Sequence, residues 1–194
     1  MDSKAPGQPR SLRESLIRLV RERSYREGDF TLASGQKSSF YIDMKATTLH
    51  PDGAYLIGEL AVELLAQKDV PIEGVGGLTL GADPIATALS LAGRARGKSW
   101  PAFIVRKEAK GHGTGKYVEG AENLRPGAPV LVLEDVVTTG GSSVKAIERL
   151  RAEGYRPVAV LTVVDRQQGG EANLRALGVD FFSLLTLTDL RSGG

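Results

Sequence analysis

Short apolar segments alternate with stretches of helical periodicity along most of the chain. The apolar segments predict buried strands over about 73–77, 102–105, 130–133, 158–164 and 181–185. The periodic stretches predict helices over about 52–67, 83–92, 143–153 and 171–177, with Asp83 as N-cap of the second. Strands without polar alternation that are separated by helices are typical of a parallel sheet covered on both faces. The pattern therefore predicts an α/β fold with an open, mainly parallel, twisted sheet flanked by helices.

The N-terminal part follows a different pattern. Ser11 and Glu14 form a capping-box sequence that opens a helix over about 12–23, and Gly28 is expected to end this region. Apolar residues then alternate with polar ones over 30–42, on both sides of a glycine-containing stretch, which predicts a β-hairpin.

Chain length sets the domain organisation. The 194 residues suit one domain, which we expect to span 11–194 after a flexible lead-in of polar, proline-containing residues 1–10. We expect the helix and hairpin, about 11–45, to form a small hood together with the C-terminal segment.

Composition excludes several classes of function. The 25 Lys and Arg residues nearly balance 23 Asp and Glu residues, which argues against nucleic-acid binding driven by overall charge. The absence of cysteine excludes disulfides, thiolate nucleophiles and Cys-ligated metal sites, and two histidines make a His-rich metal site improbable. No apolar run reaches the ~18 residues of a membrane span, and no signal peptide is visible, so we expect a cytoplasmic protein without a membrane partner.

Two adjacent carboxylates provide the strongest candidate chemistry. Glu134 and Asp135 follow an apolar strand and precede a turn over 136–142 that is rich in hydroxyl groups and glycine. Backbone N–H groups and hydroxyls of such a turn can hold a phosphate at a helix N-terminus, and the carboxylates can bind sugar hydroxyls. An acidic strand end with an ordinary glycine turn is the alternative. The glycine pattern matches neither a P-loop nor a dinucleotide fingerprint.

A basic segment over 106–117, within a loop that we expect over 106–120, is the second candidate. It holds Arg106, Lys107, Lys110 and Lys116 among glycines, which indicates a mobile loop that closes on a polyanion. A solvated hairpin and a nucleic-acid contact are the alternatives.

Two weaker candidates lie at other strand ends. The loop over 76–84 could hold a second anion, although most such loops are structural. Asp165 and Arg166 close a strand, where the Arg fork suits a planar carboxylate or carbonyl pair, with a surface ion pair as the alternative.

Taken together, these segments resemble the type I phosphoribosyltransferases. Glu134 to Ser142 resembles their signature for 5-phosphoribosyl 1-pyrophosphate (PRPP). The orotate phosphoribosyltransferase family is the closer match, on the hairpin 30–43, the loop 106–113, and the segments 164–167 and 185–190. The resemblance implies transfer of a phosphoribosyl group from PRPP to orotate, which gives orotidine 5′-monophosphate and pyrophosphate in pyrimidine (UMP) biosynthesis.

The resemblance also implies residue roles. Lys110, Asp135 and Glu134 would be catalytic. The pyrophosphate would be bound by Arg106, Lys107, Lys110 and His112; the ribose hydroxyls by Glu134 and Asp135; the 5-phosphate by Val136, Val137, Thr138, Thr139, Gly140, Gly141 and Ser142; and orotate by Thr138, Arg166, Tyr41 and Phe40. Mg²⁺ would enter with the substrate, without direct protein ligands, and the loop would be shared across a homodimer.

The chain departs from the family at three positions. Ala33 and Gly81 stand where some members have PRPP-binding lysines, and Glu134 replaces a commoner Asp. Two rival functions remain: transfer to another base, such as a purine or uracil, and a PRPP-sensing regulator that binds nucleic acid.

Overall fold

A six-stranded sheet forms the centre of the computed structural model, which describes residues 11–31, 35, 37–109 and 116–192. The sheet contains β3 (Gly74–Leu78), β4 (Ala102–Val105), β5 (Val118–Glu119), β6 (Pro129–Val137), β7 (Arg156–Asp165) and β8 (Asp180–Thr186). Two further strands, β1 (Tyr25–Thr31) and β2 (Lys37–Ile42), form a separate two-stranded sheet. The helices are α1 (Leu12–Arg23), α2 (Lys45–Thr48), α3 (Pro51–Lys68), α4 (Asp83–Ala95), α5 (Gly141–Ala152), α6 (Gly170–Arg175) and α7 (Leu187–Arg191).

Strand order in the main sheet is β5-β4-β3-β6-β7-β8. Every neighbouring pair is parallel except β4 and β5. The carboxyl ends of β3, β4, β6 and β7 therefore lie along one edge of the sheet, where ligands of open α/β folds usually bind. The predicted α/β class and parallel sheet are confirmed.

Alternate residues of β6 face two separate halves of the core. Leu131 and Leu133 belong to the cluster that includes α1, α3 and α4, whereas Val130 and Val132 belong to the cluster that includes α5 and α6. Helices thus cover both faces of the sheet, which explains why the strand sequences show no polar alternation.

The hood has the predicted helix and hairpin. Ser11 Oγ accepts from Glu14 N–H and the Glu14 carboxylate accepts from Ser11 N–H, which completes the capping box. β1 and β2 pair antiparallel. An ion pair of 2.6 Å between Arg13 and Asp189 connects α1 to the C-terminal helix α7.

Several sequence boundaries were wrong. Gly28 does not end the helical region but lies inside β1, with φ +154°, where the strand register shifts. Asp83 is the first residue of α4 rather than its N-cap, and its carboxylate accepts from Thr79 Oγ1 at 2.7 Å. β5 lies within the stretch that was expected to be loop, because its two residues are too short for a periodic signal. Helices α2 and α7 were not predicted, for the same reason.

No helix in the described ranges is both long enough and apolar enough to cross a membrane. The division into a lead-in and one domain with a hood stays a prediction, and residues 1–10 lie outside the described part.

Candidate active site

The acidic doublet lies inside β6, which continues four residues beyond the predicted strand. Glu134 is 8% exposed and accepts from Ser143 Oγ of α5 at 3.1 Å. Asp135 is partly exposed, and its Oδ1 accepts from Val136 N–H at 2.8 Å. Glu134 is thus mostly buried beside α5, and Asp135 is the more accessible of the two carboxylates.

Burial is the main cause of a raised pKa at Glu134. Loss of solvent, followed by the negative charge of Asp135, raises the pKa of Glu134 to about 8, although the Ser143 hydrogen bond opposes this. Near neutral pH the doublet therefore holds one proton, and a ligand that brings positive charge would favour its release.

Replacement of Glu134 by Gln should change how stability depends on pH. The folded-state pKa lies above the ordinary 4.5, so the free energy of unfolding falls as pH rises from about 4.5 to about 8. Glu134→Gln has no titrating group at this position and does not lose stability in this way. The free energy of unfolding of the variant, relative to that of wild type, should therefore increase by on the order of a few kcal/mol across that window. Urea unfolding of both proteins at several pH values measures the difference, and parallel pH profiles would contradict the assignment.

The loop after β3 packs directly against the doublet. A Cβ atom added to Gly81 would lie 2.8 Å from Asp135 Oδ1, so a side chain at position 81 requires the loop or the carboxylate to shift. The Thr79–Leu80 peptide bond in this loop is cis. The glycine thus allows a close approach that a lysine at this position would disturb.

A cation that the sequence did not indicate lies near the same carboxylate. Lys45 Nζ pairs with Asp43 at 2.7 Å, and this bond, with smaller effects of Asp135 and Tyr41, raises the pKa of Lys45. Helix α2, which carries Lys45, is only four residues long, and no sequence pattern marked it.

The segment 138–142 follows β6 and consists of a turn over 138–140 and the first two residues of α5, and α6 packs against the turn from outside. Val136 and Val137, which were expected in the turn, are the last residues of β6. Gly170 N–H donates to Thr138 O at 3.1 Å, and Asn173 Nδ2 donates to Thr139 O at 2.9 Å. Gly140 has φ +86° and precedes the first helical residue. The first N–H groups of a helix have no intrahelical acceptor, and the helix dipole favours an anion there. Phosphate binding by this turn stays a prediction.

Helix α5 also fixes both ends of the basic loop. The Arg149 guanidinium donates to Arg106 O at 2.6 Å and to Lys107 O at 2.7 Å, and it stacks 4.5 Å from the Tyr117 ring centroid. The Glu153 carboxylate accepts from the N–H groups of Tyr117 and Val118. Sequence reasoning missed both residues, because their four-residue spacing on a helix does not reveal a partner outside it.

The cations of this loop are only partly described. Arg106 pairs with Glu119 at 2.8 Å and is 41% exposed. Its N–H donates to Tyr117 O at 2.8 Å, so the two ends of the loop lie side by side. Lys110 and His112, which the sequence also selected, lie outside the described residues.

Arg166 brings a buried donor to the same edge. Its backbone N–H donates to Val137 O at 2.9 Å, which connects the ends of β6 and β7. Its guanidinium lies 4.7 Å from the Phe40 ring centroid, and burial lowers its pKa. Arg166 Nε is buried and has no hydrogen-bond partner among the described residues. An unpaired buried donor of this kind is costly unless a ligand completes it.

The hairpin residues differ in exposure. Phe40 is 5% exposed, below the guanidinium groups of Arg166 and Arg191, whereas Tyr41 is 45% exposed. Asp165 does not pair with Arg166: its Oδ1 accepts from Gln167 N–H at 2.8 Å, and the described residues show no ion pair between the two. The surface ion pair considered as an alternative is therefore wrong.

Comparison with known proteins agrees with this geometry. The family described as "Phosphoribosyl transferase domain" matches residues 50–177. An orotate phosphoribosyltransferase of Nostoc sp. is 51% identical over 181 residues, which cover 93% of this chain and 86% of that protein. The chain belongs to the orotate phosphoribosyltransferase family.

Solved orotate phosphoribosyltransferases have the same fold. The Mycobacterium tuberculosis H37Rv enzyme in complex with PRPP is 40% identical, with a TM-score of 0.78 over 93% of this chain and 99% of that chain. The enzyme from Aeropyrum pernix is 36% identical, with a TM-score of 0.75 over 93% and 96% of the two chains. Membership in the orotate phosphoribosyltransferase family confirms the family and the transferase class that the sequence predicted.

Proposed function

We propose that the chain transfers the 5-phosphoribosyl group of PRPP to orotate at the carboxyl edge of its sheet. Its family membership supports this activity, which belongs to pyrimidine biosynthesis. The single structural observation that carries the proposal is the convergence, on neighbouring strand ends, of a carboxylate pair, a glycine-containing turn at a helix N-terminus and an arginine whose buried Nε is unpaired.

The acidic doublet would hold the ribose. Asp135 and Glu134 accept hydrogen bonds from the sugar hydroxyls, while the turn over 138–142 binds the 5-phosphate. Their negative charge stabilises the positive ribose that develops when the C1–O bond breaks. The electron pair of that bond leaves with pyrophosphate. Orotate N1 gives up its proton to solvent and forms the new bond to C1, so no covalent protein nucleophile is required.

The basic loop would bind the departing pyrophosphate through Arg106, Lys107, Lys110 and His112. Phosphoribosyltransferases that use PRPP generally require Mg²⁺. The oxygen donors of Asp135 and Glu134 fit Mg²⁺, because this ion prefers carboxylates, water and substrate oxygens. When bound, Mg²⁺ supplies positive charge to the pyrophosphate, and the two carboxylates would hold it through water and the ribose hydroxyls.

Arg166 would recognise orotate. Its unpaired Nε and its fork geometry suit the carboxylate or the ring carbonyls of the base. Thr138, Tyr41 and Phe40 would complete this pocket, Phe40 mainly by supporting the guanidinium from below.

Arg166→Ala should therefore raise KM for orotate by about tenfold or more, because a charge-assisted hydrogen bond is lost. KM for PRPP should change little. Steady-state kinetics with each substrate varied in turn give both values. Arg191→Ala is the matched control, since it removes the other guanidinium over Phe40, 4.9 Å from the ring centroid. An unchanged orotate KM in Arg166→Ala would contradict this role.

A panel of bases tests the activity itself. The chain is incubated with PRPP and Mg²⁺ and with orotate, uracil, adenine or guanine, and pyrophosphate release is measured. We expect pyrophosphate release in the reaction with orotate and not in the reactions with the other three bases. Release with another base alone would instead support a different phosphoribosyltransferase, and PRPP binding without release would support a regulator.

We also propose a homodimer in which each subunit lends its basic loop to the partner, and a cytoplasmic location. The homodimer with a shared loop rests on the resemblance to the family, and the location rests on the sequence. Size-exclusion chromatography with light scattering measures the oligomeric state.

A further inference from the structure

A second groove lies at the opposite edge of the sheet from the proposed active site. It has a volume of about 640 Å³ and is formed by the end of α4, the segment that leads into β4 and the segment that leads into β6. Glu73, one residue before β3, is part of its wall. Because these residues lie at the amino ends of the strands, the groove is separate from the carboxyl edge. Its volume is within the range of small-molecule pockets.

The indole ring of Trp100 forms one wall of this groove. A Cβ atom added to Gly93 would lie 2.8 Å from Trp100 Cε3, so the ring packs directly on the backbone of α4 and is held in place. Trp100 is half-buried, with part of its side chain against the core. A fixed and partly exposed indole is a stacking surface for a planar group.

Three basic side chains line the same groove as this ring. Arg94, Lys98 and Arg125 line the groove, and Glu73 is their one acidic neighbour in the lining, paired with Arg125. Within the described ranges, Arg94 and Lys98 form no side-chain ion pair.

Arg96 lies between Arg94 and Lys98 in the sequence, but its charge is paired. It donates to Glu59 at 2.5 Å and lies 3.9 Å from Glu63, so α3 neutralises it. The two cations that face the groove have no such partners, and their charge is available to an anion.

We propose that this groove binds a nucleoside monophosphate, with the base on Trp100 and the phosphate between Arg94 and Lys98. A planar ring and an anionic group, connected by a sugar, match the ring and the cations that the groove places together. The site is independent of phosphoribosyl transfer, because none of its residues lies at the carboxyl edge.

Trp100 is the chain's single tryptophan and therefore reports on this groove. Titration with UMP and with AMP should quench its fluorescence in a saturable manner, whereas inorganic phosphate and ribose 5-phosphate should not. The double variant Arg94→Ala/Lys98→Ala should weaken the apparent affinity at least about tenfold, because charge-assisted contacts to the phosphate are lost.

Three controls separate this site from the active site. Lys68→Ala removes an exposed lysine outside the groove and should leave the titration unchanged. Asp135→Asn should retain the quenching, and the double variant should retain orotate turnover and its melting temperature. If the double variant loses stability, Lys98→Gln provides the same comparison with a smaller change.

Absence of saturable quenching would overturn the proposal, as would equal quenching of wild type and the double variant. Equal quenching by inorganic phosphate would show that the base is not recognised and would also overturn it. Quenching by a single-stranded RNA oligomer without quenching by mononucleotides would overturn it in favour of nucleic-acid binding. Loss of the quenching in Asp135→Asn would place the nucleotide at the carboxyl edge instead.

Discussion

Asp135→Asn should lower kcat by about 10²–10³-fold while the melting temperature changes little, because the substitution removes a charge from the transition state and almost no packing. Asp135 is partly exposed, and its contacts include a hydrogen bond from Val136 N–H, the close approach of Gly81 and the neighbouring Glu134 carboxyl group. An amide oxygen can keep the first of these. Steady-state kinetics and thermal unfolding of the same preparation measure both effects.

Asp180→Asn serves as the matched control. Asp180 is an exposed residue at the start of β8, and its nearest cation is Arg175 at 3.6 Å. This variant should keep wild-type kcat. If Asp135→Asn instead lost stability and kept its turnover, the doublet would be an acidic strand end without a catalytic role.

Lys110→Ala should lower kcat by a similar factor of about 10²–10³, because the ammonium group is expected to stabilise the departing pyrophosphate. The expectation rests on the sequence, since Lys110 lies outside the described residues. Lys116→Ala, in the same loop, is the matched control and should have a much smaller effect. Wild-type turnover of Lys110→Ala would refute the assignment.

A mixing experiment tests whether the loop is shared between subunits. Lys110→Ala and Asp135→Asn are each expected to be nearly inactive alone. After equal mixing and exchange of subunits they should recover about a quarter of wild-type turnover, since half of the dimers are mixed and each of these contains one intact site. No recovery, with subunit exchange demonstrated, would place both residues of a site in one subunit.

The main sheet could be predicted from sequence because buried parallel strands and amphipathic helices leave strong periodic signals. The apolar strand before Glu134 is a clear example. The capping box at Ser11 is an equally strong local signal for the start of α1. Some short elements were not predicted, although the four-residue strand β4 was. Helix α2, with Lys45, and strand β5 contain four and two residues, about one period each of the helical and strand patterns, so no repeat is visible in the sequence.

Some residues of the candidate site could be predicted from the sequence and others could not. Residues within one contiguous motif, such as Glu134, Asp135 and the turn over 138–142, were identified together and lie together in the structure. Arg149 and Glu153 were missed, because their role depends on contacts across 42 and 35 residues of sequence. The buried Nε of Arg166 could be recognised as unpaired only once its surroundings were known.

A crystal structure of the chain with PRPP and Mg²⁺ tests the central claim most directly. We expect the ribose hydroxyls within hydrogen-bond distance of Glu134 and Asp135, and the 5-phosphate on the turn over 138–142. PRPP bound elsewhere, with its sugar distant from both carboxylates, would contradict the proposed active site.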